Sequence, residues 1–177
     1  MRSSNQAAQT SKTPPVKRNS PPEEMKDLYL GTVRLLERLH RQFLELVEVE
    51  LDRLKVEDIN NVQSLILFHI GRDNLTVGEL LTRGYYLGSN VSYNVRKLVE
   101  TGYLVQERSV HDRRSSRVFL SDKGLKLYDK LNQMFDGQVQ AFNEISSAKD
   151  LDAATATFKR LGGFWHTLGG LTGRTAF

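Results

Sequence analysis

The chain has 177 residues, 39% of them hydrophobic, a formal net charge of +4 and no cysteine. That length can bury one core, with or without an oligomerisation extension, and the lack of cysteine excludes disulfides, thiolate metal ligands and cysteine redox sensing within it. No apolar run approaches the roughly 18 residues that cross a bilayer, and the first residues lack the apolar segment of a secretory signal, so a soluble, cytoplasmic protein is expected.

Residues 1–25 hold all four prolines among Ser, Thr, Gln and Lys, with little to bury, and read as a disordered basic tail. From Lys26 the pattern changes. Val33, Leu36, His40, Phe43, Val47, Leu51 and Leu54 recur at steps of three or four, which predicts one long amphipathic helix over about 26–54. A second helix is predicted to start near Asn60, where Asn60 and Gln63 can form a capping-box-like pair, and to stop at Gly71. Thr76 and Glu79 form a T-x-x-E capping box for a third, short helix, with Leu75 and Leu80 as its hydrophobic staple. Ser89 then reads as the N-cap of a helix of about 13 residues that ends at Gly102.

The period next shifts to two. "YLVQERS" (103–109) and "RVFL" (117–120) read as strands joined by the six residues Val110 to Ser115. Ser121 caps the following helix, with Asp122 at its positive end, and Leu125, Tyr128, Leu131, Phe135, Phe142 and Ile145 give that helix a near-coiled-coil spacing. A last helix is predicted over about 150–168, before the Gly-rich "LGGLTGRTAF". The predicted fold is mainly α, with a helix-turn-helix and a small β-hairpin wing set between long helices whose apolar stripes need a partner.

Charge is clustered rather than spread. Residues 89–117 carry six basic side chains (Arg96, Lys97, Arg108, Arg113, Arg114 and Arg117) against three acids, a footprint for an anionic partner that charge alone does not separate from a solvated surface. On the helix from Ser89, steps of about 100° gather Val91, Val95, Leu98 and Val99 on one face. The other side offers Asn90, Tyr93, Arg96, Lys97 and Glu100, with Ser89 at the start; Ser92 and Asn94 complete the polar set. These are side chains that bond base edges and phosphates when a helix enters a major groove. The alternative is an ordinary polar helix face. At the hairpin tip, the D-x-R spacing lets Asp112 pair with Arg114 and aim its guanidinium, and a narrow minor groove attracts an inserted arginine. The alternative there is a surface turn with a weak exposed ion pair.

The stretch "LTVGELLTRGYYLGSNVSYNVRKLVETGYLVQERSVHDRRSSRVFLSDKG" resembles the DNA-binding core of the MarR family of bacterial transcription regulators. The likeness covers about 26–146 in element order and 59–124 in motif detail, with the wing pattern D-x-R…V-x-L-[ST]-x-x-G at Asp112 to Gly124. It implies a homodimer whose terminal helices interlock (26–57 and 121–170), carrying two winged helix-turn-helix lobes (58–120), with 171–177 as a tail. It implies double-stranded, pseudo-palindromic operator DNA as partner, residues 89–101 as recognition helix, and Arg114 in the minor groove with Asp112 as its salt-bridge partner. Arg113 and Arg117 would be phosphate contacts. A small-molecule effector, with an aromatic compound as candidate, is also implied. Oxidant sensing through an N-terminal cysteine, known in some members, is excluded here. The aromatic "RGYYLGSNVSYNV" departs from common members, so no operator sequence carries over.

Other chemistry finds little support. His40, His69, His111 and His166 fall in four elements without metal-ligand spacing, and no Gly-rich phosphate loop or carboxylate pair appears, so neither an enzyme nor a cofactor is expected. "FWHTLGGL" (164–171) reads as dimer packing. Tyr85, Tyr86 and Tyr93 could line a ligand crevice, though core packing or phosphate contacts would use them equally well. Two rivals stay open: a winged-helix scaffold that binds protein, and a DNA architectural protein without sequence preference.

Overall fold

The computed structural model describes residues 22–82, 88–108 and 116–171. The chain forms two units whose boundary falls between Arg41 and Gln42, inside the first helix. That helix, α1 (Glu23–Arg53), starts with Glu23 and Glu24 at its positive end and finishes with Arg53 at its negative end. It is closed by a Schellman turn in which Val56 N–H donates to Leu51 O at 2.9 Å, with Lys55 held at φ +55°. Within the second unit, Val47 and Leu51 of α1 are buried, and Glu50 is kept below the usual carboxylate range by hydrogen bonds from Arg53.

Helix α2 (Asn61–Ile70) opens on the expected capping box. Gln63 N–H donates to Asn60 Oδ1 at 2.9 Å, and Asn60 N–H donates to Gln63 Oε1 at 3.1 Å. It ends at Gly71, as its sequence predicts. Leu75–Thr76 then form a two-residue strand, β1, before α3 (Val77–Thr82). Thr76 and Glu79 make the second capping box, with Thr76 N–H to Glu79 Oε2 at 2.6 Å and Glu79 N–H to Thr76 Oγ1 at 3.1 Å, and both staple residues, Leu75 and Leu80, are buried.

Helix α4 (Gly88–Glu100) begins one residue before Ser89, which therefore lies in its first turn rather than at its cap. Its end is the expected one. Gly102, at φ +79°, lets Tyr103 N–H reach back to Leu98 O at 2.8 Å in a second Schellman turn. Strands β2 (Leu104–Arg108) and β3 (Ser116–Leu120) pair antiparallel, Leu104 opposite Leu120 and Arg108 opposite Ser116. The sheet has a third member that the sequence reading lacked, because β1 pairs with the other edge of β3 and gives the order β1-β3-β2. A two-residue strand shows no period, and its partner Val118 lies 43 residues downstream of Leu75.

Ser121 caps α5 (Asp122–Asn143), accepting from Gly124 N–H at 3.1 Å, and α6 (Ala148–Leu171) starts two residues before its predicted position. One core joins these elements: Leu51, Ile66, Leu67 and Ile70 meet Val91, Val95 and Leu98 of α4, Leu104, Val118 and Leu120 of the sheet, and Leu127 and Leu131 of α5. None of the described side chains of α6 belongs to it. Phe158 and Phe164 on that helix are exposed, as are Val139, Phe142 and Ile145 near the end of α5 and Leu28, Leu35 and Leu39 on α1. No described helix is long and apolar enough to cross a membrane.

Candidate nucleic-acid interface

The face that α4 turns outward follows from what holds its inner face. Val91, Val95 and Leu98 are at most 3% exposed, and they fix the opposite side toward solvent. Asn90, Ser92, Tyr93 and Arg96 are exposed there, Tyr93 at 55%. Lys97 is half-buried and its ammonium meets Glu100 at 2.7 Å, which raises the lysine pKa and lowers that of the glutamate. Backbone of Ser89 is in the same first turn as Asn90. This row combines two cations, a carboxamide, a hydroxyl and a phenol on one helix surface, a set able to bond phosphates and base edges together.

Asn94 departs from that set. It is 8% exposed, accepts from Gln63 Nε2 of α2 at 3.2 Å, and donates through Nδ2 to Asn90 O at 2.8 Å. On the helix it sits only about 40° from Leu98, at the border of the apolar stripe, because four residues advance about 400°. A partner 31 residues earlier in the chain draws it inward. Asn94 is thus spent inside the protein and cannot meet a base from this position.

On the sheet, Arg117 is exposed on β3, opposite Thr76 on one side and Glu107 on the other, and donates to Asn74 O at 3.2 Å. Asp112, Arg113 and Arg114, with the connection Val110 to Ser115, lie outside the described residues, as do Tyr85 and Tyr86. Tyr93 stands exposed on the outer face of α4.

The hairpin base carries a cluster that no local spacing announced. Tyr103 Oη donates to Asp58 Oδ1 at 2.8 Å, and Lys123 Nζ reaches Asp58 Oδ2 at 2.6 Å and Thr101 O at 3.0 Å while standing 4.0 Å from the centre of the Tyr103 ring. Burial alone would raise the Asp58 pKa, but the donations from Lys123 and Tyr103 outweigh it and leave it lowered. Burial and the neighbouring Asp58 raise that of Tyr103. The cluster ties the α1–α2 connection to the residues that follow α4 and to the start of α5. Among the described residues no three His, Asp or Glu side chains gather where they could hold a metal.

Comparison with known proteins points the same way. Residues 57–115 match the model of the MarR family. The chain is 39% identical over 138 residues to the exopolysaccharide II synthesis transcriptional activator ExpG of Rhizobium meliloti, covering 77% of this chain and 71% of that protein. Its fold is similar to that of Streptococcus pneumoniae FabT in complex with DNA, with a TM-score of 0.64 at 20% identity over 79% of this chain and 99% of FabT. It is equally similar to that of S. aureus MepR in a DNA complex, with a TM-score of 0.64 at 19% identity over 75% and 96% of the two chains.

Proposed function

Because this chain belongs to the MarR family of transcriptional regulators, we propose that it binds a pseudo-palindromic operator as a homodimer, with α4 in the major groove and a wing arginine in the minor groove. The observation that carries this reading is the outward face of α4, where Asn90, Ser92, Tyr93 and Arg96 are presented on a helix whose opposite side is buried in the core. Ser89 and Lys97 extend that face, and Arg113, Arg114 and Arg117 supply the wing's positive charge, with Asp112 orienting Arg114. Asn94 is withdrawn from the contact set for the reason given above.

Three features support the dimer. α6 buries almost none of its described side chains within its own chain, α1 exposes Leu28, Leu35 and Leu39, and the end of α5 and the turn after it expose Val139 and Ile145 at 69% and 80%. Apolar faces of this extent mark a protein interface. The helical regions 26–57 and 121–170 would then join the two copies, leaving 58–120 as the lobe that reads DNA. The activator named among its relatives supports a role in switching genes on. A small aromatic effector would act by binding two arrangements of the dimer unequally, since equal affinity shifts nothing. A cytoplasmic location accords with this role.

Selection from a pool of random-sequence duplexes tests the reading. It predicts enrichment of an inverted repeat whose half-site centres lie about one helical turn, ~34 Å, apart. Enrichment of no common sequence would favour the architectural rival, and recovery of no DNA at low salt would favour the protein scaffold.

A further inference from the structure

We propose that Gln63 and Asn94 act as positioning residues that set the rotation of α4 about its axis, and so determine which bases the helix reads without touching DNA themselves. The proposal rests on the reading of α4 as the groove-facing helix and adds a specificity device behind it.

Apolar burial alone leaves this rotation loosely defined. Val91, Val95 and Leu98 are held by a non-directional force, which decides which side of the helix faces inward but prescribes no single bond geometry. A hydrogen bond is different, because it weakens steeply outside a narrow window of length and angle. The two carboxamides form a continuous chain: Asn60 N–H to Gln63 Oε1, Gln63 Nε2 to Asn94 Oδ1 at 3.2 Å, and Asn94 Nδ2 to Asn90 O at 2.8 Å. Gln63 is fixed at one end by the α2 capping box, and the chain ends on the carbonyl of Asn90, in the turn of α4 that begins its exposed face. Both side chains are buried, at 7% and 8% exposure, so no water replaces a broken link without reopening the core.

The geometry amplifies small errors. The surface of a helix lies about 5–6 Å from its axis, so a turn of about 20° moves surface atoms by about 2 Å. That displacement breaks the Gln63–Asn94 bond, and it equally removes a side chain such as Asn90 or Arg96 from the distance at which it can bond a base edge. Phosphate attraction is far less sensitive to such a shift. The pair therefore governs discrimination between sequences more than affinity for DNA as such.

The test uses the full chain and two probes: a duplex selected by the wild-type protein from a random pool, and its scrambled counterpart. Replacing both partners, Gln63→Met with Asn94→Leu, removes the bond without stranding a buried amide; it also gives up the Asn60 N–H bond to Gln63 Oε1, so the thermal midpoint should fall modestly while the protein stays folded. The ratio of affinities for the selected and scrambled duplexes should fall about tenfold or more, the scale of one lost base contact, while binding to the scrambled duplex is unchanged. A folded double variant with wild-type discrimination overturns the proposal. Should that variant not fold, Gln63→Asn, which keeps an amide but shortens its reach by one methylene, must lower discrimination in the same direction; if it does not, the proposal is wrong. A wild-type protein that itself discriminates between no sequences defeats the reading of α4, and the proposal falls with it.

Discussion

Replacing Gly124 by alanine is the sharpest test of how the hairpin is joined to α5. A Cβ at this position would lie 2.2 Å from Tyr103 O, 3.2 Å from Tyr103 C and 3.4 Å from Leu120 Cβ. Carbon and carbonyl oxygen ordinarily meet at about 3.3–3.6 Å, so one backbone must move by about 1 Å. Neither is a flexible side-chain end. The Tyr103 carbonyl also accepts from Ser121 N–H at 3.0 Å and from Ser121 Oγ at 3.1 Å, and a shift of that size breaks both bonds. Overpacking of about 1–3 kcal/mol and two lost hydrogen bonds, against about 1 kcal/mol gained from alanine's helix propensity, give a net loss of about 2–4 kcal/mol. For a chain of this size that is a fall in Tm of about 4–16 °C. Urea and thermal unfolding measure it, with Gly137→Ala as the counterpart. Gly137 has nothing within 4 Å of its added Cβ and lies inside α5, so that change should stabilise by about 0.5–1 kcal/mol. A Gly124→Ala protein within about 0.5 kcal/mol of wild type would refute the close approach, since surface changes alone stay inside that range.

Lys55→Gly should stabilise the protein by about 1 kcal/mol in urea unfolding, because Lys55 occupies φ +55° at the end of α1, where glycine carries no steric penalty. Asp58→Asn should destabilise at neutral pH, and the gap from wild type should close as pH falls. The folded-state pKa of Asp58 is lowered, so its contribution is whole above the ordinary carboxylate range of about 4 and is lost as pH drops through the folded value. A gap that stayed constant down to strongly acid pH would rule out the ion pair with Lys123. Arg96→Ala should weaken binding to every duplex and reduce the slope of log affinity against log salt by about 1 if the side chain meets a phosphate. Arg114→Ala should weaken operator binding while sedimentation shows the dimer intact; unchanged affinity would remove Arg114 from the contact set.

What the sequence disclosed about this fold was chiefly local. Both capping boxes, the Ser121 cap and the turn at Gly102 join residues three to five positions apart, and each is readable because its spacing and chemistry sit in one short window. The final glycine of the wing pattern gains a physical reason only in the structure, where Gly124 passes the Tyr103 carbonyl. The unread features join residues far apart. β1 is a strand only because β3 lies beside it, Asn94 turns inward only because Gln63 meets it, and Asp58, Tyr103 and Lys123 form a cluster only when 65 residues of chain fold back. The outward row of α4 was legible except at Asn94, where a helical wheel places a border residue without knowing what the neighbouring helix offers. The wing residues Asp112, Arg113 and Arg114 rest on the sequence pattern.

Selective reading of DNA by a dimer can be decided in one titration. Fluorescence anisotropy of the selected duplex and its scrambled counterpart, across about 50–200 mM salt and with stoichiometry fixed by sedimentation, measures selectivity, phosphate contact and dimer together. A dimeric, sequence-reading regulator should give two chains per duplex, at least about 10³-fold preference for the selected site, and affinity that falls steeply with salt for both duplexes. Equal affinity for the two duplexes, or a single chain bound per site, would contradict it.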